Sequence, residues 1–210
     1  MPARAARTAF CTTWPFARAC WFRPLMPEYL ALIACGAPLA ARVHDVAAHA
    51  VEVGWIVRVA ATPSAMNWVD ADRVEEITGF GVLVEHRRPG QAKRFAPPAQ
   101  VIVCPATFNT VNKLAVGIMD NYATGLLCEA LALRTPIIIA PMVNNRLWPH
   151  PAWQHNLDLL AAAGVRFIDI HTGHFGRPTA VQSGTGSEVI AAFEPAWVLA
   201  PASGQPAQKS

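Results

Sequence analysis

Tyr29-Leu30-Ala31-Leu32-Ile33-Ala34-Cys35-Gly36-Ala37-Pro38 is the stretch on which the fold turns. Its first seven residues are apolar without polar alternation, as a strand buried on both faces requires, and Gly36, Ala37 and Pro38 then turn the chain into a helix. That helix places Leu39, Val43, Val46, Ala50 and Val53 at spacings of three and four, one apolar face, and Gly54 ends it. The same alternation continues outward from this unit. Residues 55–61 read as a second strand, 62–64 as a turn, and 65–77 as a helix with Asp70, Asp72, Glu75 and Glu76 toward solvent. Residues 82–85, 101–104, 136–140 and 165–170 read as further strands, the turn 105–109 opens two helices split near Asp120, and 151–163 and 187–193 read as helices. Short apolar runs alternating with helical patterns predict an α/β domain whose mainly parallel sheet is covered by helices.

Composition agrees with one such domain. The chain has 210 residues, 53% hydrophobic against 15% charged, with mean hydropathy +0.26, so it must bury a large core. No run of about 18 uncharged apolar residues occurs, and no membrane span is expected. A net charge of +3 falls short of the clustered basic face of a nucleic-acid binder. Cys11, Cys20, Cys35, Cys104 and Cys128 are odd in number and form no CxxC pair, which suggests neither a zinc site nor a disulfide framework, and Cys35 and Cys104 read as buried thiols of a reducing, cytoplasmic compartment. Residues 1–25, rich in Arg and Ala, lack the unbroken apolar core of a secretory signal; they read as a disordered leader ahead of Met26, or as an arm packed on a partner subunit. The domain spans 26–199, and 200–210 reads as a disordered tail.

The polar residues concentrate where strands end, which is where parallel sheets bind ligands. Gly36-Ala37-Pro38 puts small residues at a helix N-terminus, a place that favours an anion such as phosphate. Thr62 and Ser64 follow the second strand, as ligand contacts or as caps. Residues 105–113 hold Thr107, Asn109, Thr110, Asn112 and Lys113, more polar groups than one helix cap needs. Asn144 and Asn145 follow the strand at 136–140. Together these edges describe a polar cleft for a flat, phosphorylated ligand. The loop 86–100, with Pro89, Pro97 and Pro98 among Arg87, Arg88, Lys93 and Arg94, reads either as functional or as a solvated basic loop. His150 and His155 lack the i, i+4 spacing of a helical metal pair and read as packing residues; no metal site is expected.

Pro105-Ala106-Thr107-Phe108-Asn109-Thr110 with Lys113, Gly117 and Asp120-Asn121 resembles the proline-alanine-serine-alanine-asparagine-threonine segment and downstream Asp-Asn of the homo-oligomeric flavin-containing cysteine decarboxylases. These include phosphopantothenoylcysteine decarboxylase and the lantibiotic peptide cysteine decarboxylases. Residues 141–148 resemble their second signature, proline, any, methionine, asparagine, any, any, methionine, tryptophan, and flavin prenyltransferases are a more distant likeness. The resemblance implies a Rossmann-like, flavodoxin-like three-layer sandwich and FMN as cofactor. It implies that Gly36, Ala37, Pro38 and Ser64 hold the phosphate and ribityl chain, that Thr107, Asn109 and Thr110 contact phosphate and flavin, and that Asn144 binds the substrate carboxylate. It places Asp120 and Asn121 near a subunit contact, with FMN at the interfaces of a homotrimer or a dodecamer of trimers. The implied substrate is a small molecule or peptide bearing a cysteine carboxylate.

The departures from the family pattern are specific. The family's catalytic histidine falls near Gln91, with His86 nearby but out of register as the candidate base. Val143 and Leu147 replace the two signature methionines, and Ser183-Gly184-Thr185-Gly186 stands, without a cysteine, as a flexible substitute for the family's substrate-covering segment. Oxidative decarboxylation, flavin binding without decarboxylation, and prenyl transfer with Arg87, Arg88, Lys93 and Arg94 on a phosphate are the functions these residues permit.

Overall fold

The computed structural model describes residues 29–90 and 97–199. The leader, the start at Met26, the tail, Cys11, Cys20, and the Gln91, Lys93 and Arg94 part of the basic loop lie outside the described residues. Strands β1 (Tyr29–Ala34), β2 (Ile56–Ala61), β3 (Gln100–Ala106), β4 (Ile137–Pro141) and β5 (Arg166–Phe167) form one sheet in the order β2-β1-β3-β4-β5, every pair parallel. Helices α1 (Val43–Glu52), α2 (Ala71–Thr78), α3 (Phe108–Val116), α4 (Tyr122–Ala132), α5 (Pro151–Ala162) and α6 (Gly186–Ala192) cover it.

All six residues of β1 are buried, which is the reason its sequence shows no alternation. Leu30, Leu32 and Ala34 face a core shared with Val43, Val46 and Ala50 of α1, Val74 of α2 and Val189 of α6. Tyr29, Ala31, Ile33 and Cys35 face a second core with Val111 and Leu114 of α3, Leu127 of α4, and Leu157 and Leu160 of α5. The three-layer, flavodoxin-like sandwich is therefore present, with β1 an interior strand: Leu32 lies beside Val59 on one side and Ile102 on the other.

Several element boundaries differ from expectation for local reasons. The 65–77 helix divides, because a 3-10 turn occupies Pro63–Asn67 and the Asp70 carboxylate accepts from Arg73 N at 3.0 Å, making Asp70 the cap of α2. The strand at 82–85 shrinks to one parallel bridge, Ala60 to Leu83, with Leu83 N donating to Val59 O and Ala61 N to Leu83 O. The 165–170 strand keeps two residues, since Ile168 then bridges Phe175 antiparallel and covers the sheet edge. Pro105 and Ala106 remain in β3, so the turn opening α3 is Thr107 alone, with Asn109 inside the first helical turn. Val53, expected on the apolar face of α1, is 56% exposed, because the helix ends one residue before it and Gly54 turns away at φ 96°. No helix among the described residues is long and apolar enough to cross a membrane.

Candidate functional site

The chain leaves β1 toward β2 on one side and returns to β3 on the other, so strand order reverses at β1 and the loops beyond the carboxyl ends diverge into a crevice. Backbone bonds tie these strand ends together: Thr62 N donates to Ala34 O (3.0 Å), Cys35 N to Pro105 O (3.0 Å) and Met142 N to Ala106 O (2.8 Å). Gly36 is there for want of space, because a Cβ at that position would lie 2.6 Å from Ser64 Oγ and 2.9 Å from Ser64 Cβ. Thr62 does not cap through its side chain; its Oγ1 lies 3.3 Å from Ser64 Oγ, forming a hydroxyl pair beside Gly36.

Across the crevice, Thr107 caps α3. Its Oγ1 accepts from Thr110 N at 3.4 Å and lies 3.1 Å from Thr110 Oγ1, while Val111 N donates to Thr107 O. Phe108 N and Asn109 N are thereby the helix-end donors that remain for an anion. Cys35, just after β1, is fully buried. Burial pushes its thiol up to about 11 against the pull of hydrogen bonds with Thr110 and Thr107, so it stays protonated at neutral pH; burial raises Cys104 as well.

Asn144 stands on the next loop. Its Oδ1 accepts from Arg146 N (3.1 Å) and Leu147 N (3.0 Å), which fixes the amide orientation and leaves Nδ2 to donate to a ligand oxygen. The Ser183–Gly186 stretch is tied down beside it. Asn145 Nδ2 donates to Gln182 Oε1 (2.9 Å), and Ser183 N and Oγ both donate to Asn145 Oδ1 (3.2 and 2.9 Å).

The structure thus brings Gly36, Ala37, Pro38 and Ser64 to one side of the crevice, Thr107, Asn109 and Thr110 to the other, and Asn144 to the neighbouring loop. His86 is placed differently. It is exposed, its ring centroid 5.6 Å from that of Tyr122 in an edge-to-face contact and its Cε1 against Gly125, both on α4. Asn121 caps α4 in a reciprocal box with Thr124, and Lys113 bonds the Asp120 carboxylate, which holds its pKa below the ordinary carboxylate range.

Two features escaped the sequence reading. Asp169, 5% exposed, accepts from His171 N, Thr172 N and Thr172 Oγ1 on one oxygen and from Thr179 N and Oγ1 on the other. The Asp-x-x-Thr run 169–172 was its one local signal, an Asx-turn pattern. His150, read as a packing residue, caps α5 through Nδ1, which accepts from Ala152 N at 3.1 Å, and its ring meets Phe108, which in turn stacks on Trp153 at 5.4 Å. These rings join α5 to the first residue of α3, a contact between positions 42 to 45 apart that no local pattern shows.

The model of the Flavoprotein family matches residues 25–191. The chain belongs to the Flavoprotein family. Among curated relatives of this flavoprotein, the coenzyme A biosynthesis bifunctional protein CoaBC of Thermococcus kodakarensis is 38% identical over 127 residues, 58% of this chain and 30% of that protein. A cysteine/cysteine sulfinic acid decarboxylase from an unknown prokaryotic organism is 40% identical over 72 residues, 34% of this chain and 19% of the relative. The chain therefore spans less than a third of these relatives. Among solved structures, the FMN-dependent cysteine decarboxylase TvaF from thioviridamide biosynthesis superposes with TM-score 0.58 at 27% identity, covering 79% of this flavoprotein and 95% of TvaF. The peptidyl-cysteine decarboxylase EpiD shares the fold, with TM-score 0.59 at 21% identity over 83% of this chain and all of EpiD.

Proposed function

We propose that this flavoprotein binds FMN and oxidatively decarboxylates a substrate bearing a cysteine carboxylate, either the end of a peptide or a phosphopantothenoylcysteine-like molecule. The observation that carries the reading is the paired crevice: a glycine that Ser64 leaves no room to replace, facing a helix end whose Phe108 and Asn109 amides suit a phosphate. Those residues fit the cofactor, with Gly36, Ala37, Pro38 and Ser64 on its phosphate and ribityl chain and Thr107, Asn109 and Thr110 on phosphate and flavin. When bound, FMN would supply the two-electron acceptor that oxidation of the substrate Cβ requires, the chemistry that lets the neighbouring carboxylate leave as carbon dioxide, and an external oxidant such as dioxygen would reoxidise it between turnovers.

The chain's own residues seat the substrate. Asn144, its Oδ1 engaged by two backbone amides, presents Nδ2 to the departing carboxylate and fixes the bond that breaks. The Cys35 thiol, fully buried and protonated at neutral pH, offers no competing nucleophile. His86 is the proposed proton acceptor for the substrate thiol. Its position against α4, next to the Asp120-Asn121 turn, suits a site shared between subunits, and the exposed Val116, Ile118 and Met119 before that turn supply apolar surface for a homotrimer contact. The free, buried thiols of Cys35 and Cys104 suit the reducing, cytoplasmic setting this substrate implies.

The experiment is the absorption spectrum of the purified chain, followed by incubation with a cysteine-terminated peptide and with phosphopantothenoylcysteine. A flavin spectrum with carbon dioxide and enethiol from either substrate is expected. A colourless protein that takes up no FMN overturns the whole reading. FMN without carbon dioxide leaves a flavin-binding protein that does not decarboxylate, the reading that Gln91, standing where the family's catalytic histidine falls, favours.

A further inference from the structure

The segment after Gly176 does more than fill the surface. Val181 N donates to Val143 O and Asn145 N to Val181 O, both at 2.8–2.9 Å, so this segment adds a parallel bridge beside Asn144 itself. From there it runs to the β1 loop: Gly186 sits with its Cβ position 3.7 Å from Pro38 Cγ and 3.8 Å from Met142 Cε. Beyond it, α6 is held by Arg42, whose Nη1 donates to Ile190 O (2.7 Å) and Phe193 O (2.8 Å). Residues 181–186 therefore span the mouth of the crevice between the Asn144 turn and the Pro38 turn. Beyond their far end the guanidinium of Arg42 anchors α6, and at the near end the amide of Asn145 ties them.

We propose that Asn145 is a positioning residue: its amide holds the 181–186 segment beside Asn144, and that segment forms the wall against which the substrate carboxylate is seated. This rests on the reading of Asn144 as the carboxylate site. Both functional atoms of the Asn145 amide are used, Oδ1 by Ser183 N and Oγ and Nδ2 by Gln182 Oε1. An aspartate keeps the acceptor for Ser183 and loses only the donor to Gln182, whereas alanine loses all three bonds. Because the ties are exposed, each is weak alone, and their joint loss frees a segment that already turns at Gly184 with φ 95°.

The test uses the full chain loaded with FMN, with Asn145→Ala, Ser183→Ala and Asn145→Asp compared with wild type on whichever of the two cysteine substrates it turns over. Asn145→Ala is expected to raise KM about tenfold, Ser183→Ala less, with kcat within about twofold and FMN affinity unchanged, and Asn145→Asp to recover most of the loss. Hydrogen exchange at Ser183 and Thr185 rises in the alanine variants. Faster exchange with unchanged KM overturns the positioning role and leaves a purely structural tie. Loss of FMN in both alanine variants overturns it too, because the segment would then serve the cofactor. A wild-type chain that binds FMN but turns over neither substrate overturns the underlying reading of Asn144, and with it this proposal.

Discussion

Gly36 and Asp169 show how much single residues carry. A methyl group at Gly36 meets Ser64 at 2.6 Å, so Gly36→Ala must push the β1 and β2 loops apart. We expect about 1–3 kcal/mol of lost stability with weakened FMN uptake, and Ser64→Gly in the same chain should restore the Tm while leaving FMN binding weak. Restored FMN binding in the double variant would sink the assignment of Ser64 to the cofactor. Asp169 is a matter of stability. Burial pushes its carboxyl up, but hydrogen bonds from Thr179, His171 and the Thr179 amide outweigh it, and the folded pKa is lowered. A depressed folded pKa contributes stability above the unfolded value, near 3.9, and that contribution is lost as pH falls through the folded pKa. Asp169→Asn, which turns one acceptor oxygen into a donor facing donors, should cost about 1–3 kcal/mol at neutral pH. The Tm gap to wild type should narrow below about pH 4; a gap independent of pH would contradict the ionised clamp.

At the scale of elements, two helices begin with similar caps and different surroundings. Thr107 caps α3 at the crevice, and Asn121 caps α4 beside Asp120. Thr107→Ala and Asn121→Ala should each cost about 1 kcal/mol, read as similar falls in Tm. Only Thr107→Ala should also weaken FMN binding, measured by flavin fluorescence titration; equal loss in both would mean that FMN responds to general loosening and not to the α3 end. Elements were legible wherever one local pattern governed them. The apolar run of β1, the face of α1 and the break near Asp120 all appear in the sequence, because burial on two faces or one leaves a period. Boundaries decided by side-chain competition did not. Asp70 takes the α2 cap from a helix whose apolar spacing extends further back, and β5 stops where Asp169 gathers the backbone donors of the next turn.

At the scale of the molecule, the excess of apolar residues goes mostly into two cores on either side of one sheet, with a remainder on the surface. Val116 at the end of α3 and Met119 just after it, 62% and 60% exposed, lie next to the Asp120-Asn121 turn. In the proposed homotrimer this patch is covered, so Val116→Asp with Met119→Asp should reduce the mass measured by light scattering to that of a monomer. An unchanged trimer mass would place the contact elsewhere. The residue pattern by itself determined the α/β class, the parallel sheet, the family likeness and the loops that carry Gly36, Thr107 and Asn144, because each depends on spacing within a short stretch. Tertiary structure alone decided that Ser64 forbids a side chain at Gly36, that Asn145 holds a segment 38 residues downstream, and that His86 lies against α4. Those contacts join residues distant in the chain, and their geometry exists only once the strands are ordered and the crossovers closed.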